Sequence, residues 1–145
     1  MERIAIVGAV RTPIGKFMGG LMPLSAVELG AHAVAAVLAR TGVSPTDVEE
    51  CYMGQARQLG SGPNPARQVA IKAGCGDGCV ATTVNKACGS SLKAIDLARA
   101  AILLDGKKVV VAGGMESMSN IPFLLPNFRS GYRLAACPSA PRSAE

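Results

Sequence analysis

Apolar residues along this chain gather in runs of two kinds, short and continuous or long and striped, and their alternation outlines a fold. "RIAIVGAV" (3–10) is a continuous apolar run followed by "RTP", the pattern of a buried strand. "SAVELGAHAVAAVLARTG" (25–42) instead places Val27, Ala31, Val34, Val37 and Leu38 in one stripe of an amphipathic helix. Ser25 is its N-cap, Glu28 three residues on completes a capping box, and Gly42 ends it. "SPTDVEE" reads as a short helical start with Pro45 at the first position, and "CYMGQ" as a short strand. A glycine-rich loop, "LGSGPN", leads into a helix "PARQVAIKAG" closed by Gly74. Val80 and Thr82–Val84 supply the β-branched residues of another strand. From Gly89 to Leu104 only Lys93, Asp96 and Arg99 interrupt an apolar surface, so this helix must be covered on most sides. "KKVVVAGG" is a further buried strand, and beyond Met115 the periodicity stops in a segment rich in proline and serine.

Strands alternating with helices predict a mostly parallel sheet with helices on its faces, an α/β fold, and no repeat of solenoid length interrupts the order. The composition agrees. A chain of 145 residues, 49% hydrophobic and 17% charged, can bury a core, and 17 glycines beside only 3% aromatics favour close packing of helices on a sheet. The formal charge of +5 is spread out, its longest run being Lys107-Lys108, which argues against a nucleic-acid partner. Met1 to Val10 passes directly into a strand without the regions of a signal peptide, which predicts an intracellular, cytoplasmic protein, and no run reaches membrane-spanning length. Five cysteines, an odd number outside a secretory context, argue against a disulfide framework.

The chemistry concentrates at "TVNKACGSSLKAIDLA" (83–98), where Cys88 follows a strand and opens a helix. Free N–H groups and the positive end of the helix dipole favour a thiolate there, Gly89 removes bulk beside the sulfur, and N–H groups of the turn can receive the oxyanion of an attacked carbonyl. That arrangement suits acyl transfer. The competing reading makes Cys88 a small buried hydrophobe. His32, the one histidine, lies about 200° around its helix from Val34, on the polar side, and reads as a surface residue rather than a base. Cys75 and Cys79 in "CGDGC" supply only two thiols, too few for a tetrahedral metal site. "IGKF" lacks the first glycine and the hydroxyl residue of a phosphate-binding loop, and "VGAVRT" lacks the later glycines of a dinucleotide fingerprint.

Taken together, "RTPIGKFMGGL" (11–21), "NPARQVAIKAG" (64–74), "TVNKACGSSLKAI" (83–95) and "VVVAGGMESMSNIPF" (109–123) resemble the N-terminal part of a thiolase of the acetyl-CoA acetyltransferase type, in family order and spacing from about Arg3 to Leu134. The resemblance implies the N-terminal half of a five-layer α-β-α-β-α fold, incomplete here, with the helix after Cys88 in the middle layer. It implies a half-domain over 1–114 lacking its last strand, the start of a loop domain over 115–134, and a non-matching, disordered tail over 135–145. It also implies that Cys88 takes an acyl group from acyl-CoA, its N–H lying in an oxyanion hole. A second acetyl-CoA then attacks the thioester, or CoA thiolyses a 3-ketoacyl chain in reverse. Coenzyme A and acyl-CoA are substrates in that scheme, and no cofactor or metal is held permanently.

The same resemblance implies a homo-oligomer in which the strand before Cys88 pairs with its mate, or a separate chain carrying the C-terminal half. The family's activating histidine and second cysteine come from that half. None of Cys51, Cys75, Cys79, Cys137 and His32 stands in their setting, so the chain by itself is expected to be inactive, a half-subunit or a truncated or frame-shifted product. Ser91 stands where the family has glycine, and a hydroxymethyl group must fit beside the nucleophile. Two other readings share these residues: a ketoacyl-synthase-like condensing enzyme, against which "GGMESMS" and "NPARQ" count, and a non-catalytic assembly partner.

Overall fold

The computed structural model describes residues 3–126 and 128–131; Cys137 and the tail over 135–145 lie outside them. Three parallel strands form one sheet in the order β2-β1-β3, with β1 at Glu50–Gly54, β2 at Val80–Val84 and β3 at Val110–Gly114. Cys51 pairs with Ala81 on one side and Val111 on the other. Helix α2 (Pro65–Lys72) connects β1 to β2, and α3 (Ser90–Leu104) connects β2 to β3. The two connections run in opposite directions across the sheet. Right-handed crossovers then put α2 on one face and α3 on the other. Helix α1 (Ala26–Thr41) packs on α2, completing three layers, α-β-α.

Local chemistry sets each boundary. The Ser25 hydroxyl accepts the Glu28 N–H at 3.2 Å while the Glu28 carboxylate accepts the Ser25 N–H at 2.8 Å, and Gly42 closes α1 at φ +70°. These exchanges satisfy backbone groups that a helix end leaves open. Asn64 caps α2, accepting the Arg67 N–H, and also donates to the Ala81 carbonyl at 3.0 Å, which ties that helix start to β2. Arg67 reaches on to the carbonyls of Cys79 and Asp77. The core lies between α1, α2 and the sheet, where Val27, Val34, Leu38, Val48, Cys51, Met53, Val69 and Ala70 are buried.

Two expectations are corrected. Residues 3–10 form no strand: Ile6 is 84% and Val7 74% exposed, and the segment crosses α1, with Gly8 against Val37 and Thr41 and the Ala9 carbonyl accepting from Arg40 at 3.1 Å. A strand exists only with a ladder neighbour, and among the described residues none pairs with this run. Helix α3 is likewise covered on one side rather than most: Ser90, Ala94, Ala98 and Ala101 are buried, whereas Leu92 is 75% and Leu104 82% exposed.

Candidate active site

The site forms where the carboxyl ends of all three strands meet. Because the chain leaves β1 in one direction and later crosses to its other side, the loops following the strands splay apart, and a crevice opens at such a reversal. A cavity of about 550 Å³ sits there. Gly54, Ala56 and Arg57 line it after β1, Ala87, Cys88, Ser90 and Ser91 after β2, and Gly114, Met115 and Glu116 after β3.

Cys88 is exposed, which sets aside the reading of a buried hydrophobe. It stands two residues before α3, in a tight turn whose hydrogen bonds run from the Gly89 N–H to the Lys86 carbonyl (3.0 Å) and from the Ser90 N–H to the Ala87 carbonyl (3.1 Å). Ala87 adopts φ +47°. A residue with a Cβ is strained in this left-handed region, and such a conformation persists only where its surroundings hold it. Here they do. The Ala87 N–H donates to Asn85 Oδ1 at 3.1 Å, and the Ala87 carbonyl also accepts from the Ser90 hydroxyl at 2.6 Å, while that hydroxyl accepts the Lys86 N–H at 2.9 Å.

Two glycines let α3 approach the strand ends. A Cβ on Gly54 would lie 2.6 Å from the Ser90 carbonyl carbon, and one on Gly114 would lie 1.9 Å from Ser91 Oγ. The hydroxymethyl of Ser91 therefore fits because Gly114 leaves it the space. In the same cavity, the Glu116 carboxylate accepts the N–H groups of Ala56 (2.9 Å) and Arg57 (3.2 Å), and Asn85 Nδ2 donates to the Ala56 carbonyl (3.0 Å). Asn85, Ser90, Gly54, Gly114 and Glu116 were not singled out from the sequence. Asn85 carried a signal, since an asparagine two residues before a strained position closes an Asx turn; Glu116, a lone acid beyond an apolar strand, carried none.

The other candidates lie elsewhere. His32 is exposed on α1, away from the cavity. Cys51, Cys75 and Cys79 are buried in the core. Burial pushes the Cys51 thiol up to about 12, and burial, with Cys75 adding to it, pushes Cys79 up to about 11. These three are poor nucleophiles. Among the described residues no group of three or more His, Cys, Asp and Glu side chains is arranged to hold a metal ion, and no helix is long and apolar enough to cross a membrane.

The described residues thus form a parallel α/β unit with an exposed cysteine just ahead of a helix, lining a cavity at the strand ends. Residues 4–138 match the thiolase N-terminal domain, and the chain belongs to the thiolase family by that match. It is 52% identical over 131 residues to an acetyl-CoA acetyltransferase of Chromobacterium violaceum, covering 90% of this chain and 33% of that protein. An acetyl-CoA acetyltransferase of Cupriavidus necator is 51% identical over 134 residues, covering 92% of this chain and 34% of that one. Among solved structures, the Acat5 thiolase from Ascaris suum in complex with coenzyme A is similar at a TM-score of 0.82 and 40% identity, covering 83% of this chain and 32% of that chain. The chain thus spans about a third of the length of the curated relatives it matches.

Proposed function

We propose that this chain carries the nucleophile half of a thiolase-type acyl transfer, with Cys88 as the residue that takes the acyl group from an acyl-CoA. The exposed thiol at the mouth of the cavity, ahead of α3, carries this reading. Cys88 Sγ attacks the thioester carbonyl, the oxyanion is held by N–H groups of the turn, and the bond from the carbonyl carbon to the CoA sulfur breaks. CoA leaves as its thiol, and Cys88 is left acylated. The Cys88 N–H suits the oxyanion because the turn's own hydrogen bonds leave it out. Coenzyme A is a substrate here rather than a resident cofactor, in keeping with the CoA-bound relative.

In this reading the second step, carbon–carbon bond formation or thiolysis, takes its proton-transfer groups from outside these 145 residues, since the one histidine is on α1. The domain division proposed is a nucleophile-bearing half-domain over 1–114 and the start of a loop domain from 115. A cytoplasmic place in acetyl-CoA or fatty-acid metabolism and a homo-oligomeric assembly, or assembly with a chain supplying the second half, complete the proposal. The test is incubation of the chain with acetyl-CoA followed by peptide mass mapping. An acetyl group on Cys88, absent from Cys88→Ser, with no acetoacetyl-CoA released, is the expected result. A chain that stays unlabelled where a full-length thiolase is labelled would overturn it.

A further inference from the structure

The loops after the three strands are joined by a short relay of hydrogen bonds that ends at the turn carrying Cys88. Glu116, after β3, accepts the N–H of Ala56, after β1, at 2.9 Å. The carbonyl of Ala56 accepts from Asn85 Nδ2 at 3.0 Å, and Asn85 Oδ1 accepts the Ala87 N–H at 3.1 Å. Ala87, at φ +47°, immediately precedes Cys88. A left-handed alanine is an over-determined conformation, so whatever holds its N–H helps to set where the next residue points. Asn85 alone could close that turn. Its other end is fixed only because Ala56 is fixed, and the N–H of Ala56 is held by a charged acceptor, the stronger kind of hydrogen bond.

We infer that Glu116 and Asn85 are positioning residues for Cys88, acting through Ala56 and Ala87. Neither side chain needs to touch substrate for this. The carboxylate of Glu116 also accepts the Arg57 N–H at 3.2 Å, and Arg57, Glu116 and Cys88 line the same cavity. The inference deepens the acyl-transfer reading and rests on it for its catalytic meaning. The geometry stands apart from it, and the two can fail separately.

Hydrogen exchange on the full chain, read by mass spectrometry over 85–89, tests the relay without any substrate. In Glu116→Ala the exchange of that segment rises about tenfold, the loss of one to two hydrogen bonds, while peptides of α1 keep their wild-type rates. Glu116→Gln, whose amide oxygen still accepts the Ala56 N–H, returns exchange to within about threefold of wild type. Asn85→Asp keeps the acceptor for Ala87 and loses the donor to Ala56; exchange at 85–89 then responds no further to Glu116→Ala, as members of one relay require.

A split in thiol chemistry separates positioning from general loosening. In Glu116→Ala, acetylation of Cys88 by acetyl-CoA falls about tenfold, alkylation of Cys88 by iodoacetamide stays within about twofold, and Cys51, Cys75 and Cys79 stay unalkylated. Unchanged exchange at 85–89 in Glu116→Ala would overturn the inference, as would equal loosening of α1. If the wild type takes no acetyl group, the acyl-transfer reading fails while the exchange result still decides the relay.

Discussion

Cys88 differs from Cys51, Cys75 and Cys79 in surroundings rather than in chemistry. Its thiol is exposed at a helix start, whereas the other three lie in the core, Cys51 with its thiol pushed up to about 12 by burial. For such a group the folded state keeps its proton through a pH range in which the unfolded chain has lost it. Stability from Cys51 is therefore complete below pH 9.0, its ordinary value, and declines as pH rises towards about 12. Urea unfolding between these limits is expected to show a falling stability whose slope becomes shallower in Cys51→Ala. An unchanged slope would mean that other groups dominate the alkaline limb. The placement of Cys88 just ahead of a helix was legible in the sequence because strand, cysteine, glycine and helix stood in order. Its supports, Asn85 and Glu116, were not, since they act on backbone groups 29 and 60 residues away, and nothing local announces such a partner.

Among the elements, α1, α2, α3 and three strands were legible because periodicity, caps and β-branched runs agree within each segment. The first run, 3–10, failed for a reason of the same kind. An apolar stretch reports that it seeks cover, and a strand also needs a hydrogen-bonding neighbour, which is a property of another segment. The approach of α3 to the sheet was hidden too, because a glycine's value lies in what it meets. Gly54→Ala brings a methyl within 2.6 Å of the Ser90 backbone, which cannot yield as a flexible side chain could. Urea unfolding is expected to show a loss of about 1–3 kcal/mol. Gly114→Ala meets the Ser91 hydroxyl instead, so Ser91→Gly should restore most of the stability that Gly114→Ala costs. Failure of that rescue would show that the Gly54 carbonyl, 3.2 Å from the same methyl, is the true obstacle.

At the scale of the whole molecule, apolar surface is distributed unevenly. One face of the sheet carries α2 with α1 packed on it, whereas α3 leaves Leu92 and Leu104 exposed, and beyond β3 Phe123, Leu124 and Leu125 are exposed. Exposed apolar side chains of this kind favour association. Sedimentation is expected to show concentration-dependent association of the chain, reduced in Leu92→Lys/Ile95→Lys with the helical circular dichroism unchanged. A monodisperse monomer at all concentrations would count against an assembly through α3. The curated relatives named above are about three times as long as this chain, and the family match spans the part that holds Cys88.

The most direct measurement is the time course of acetyl transfer from acetyl-CoA to the chain, followed by mass spectrometry resolved to each cysteine, with Cys88→Ser alongside. The account predicts that acetyl accumulates on Cys88, is released by hydroxylamine as a thioester must be, and never appears on Cys51, Cys75 or Cys79. Acetyl at those core cysteines, or none at Cys88 under conditions that label a full-length thiolase, would contradict it.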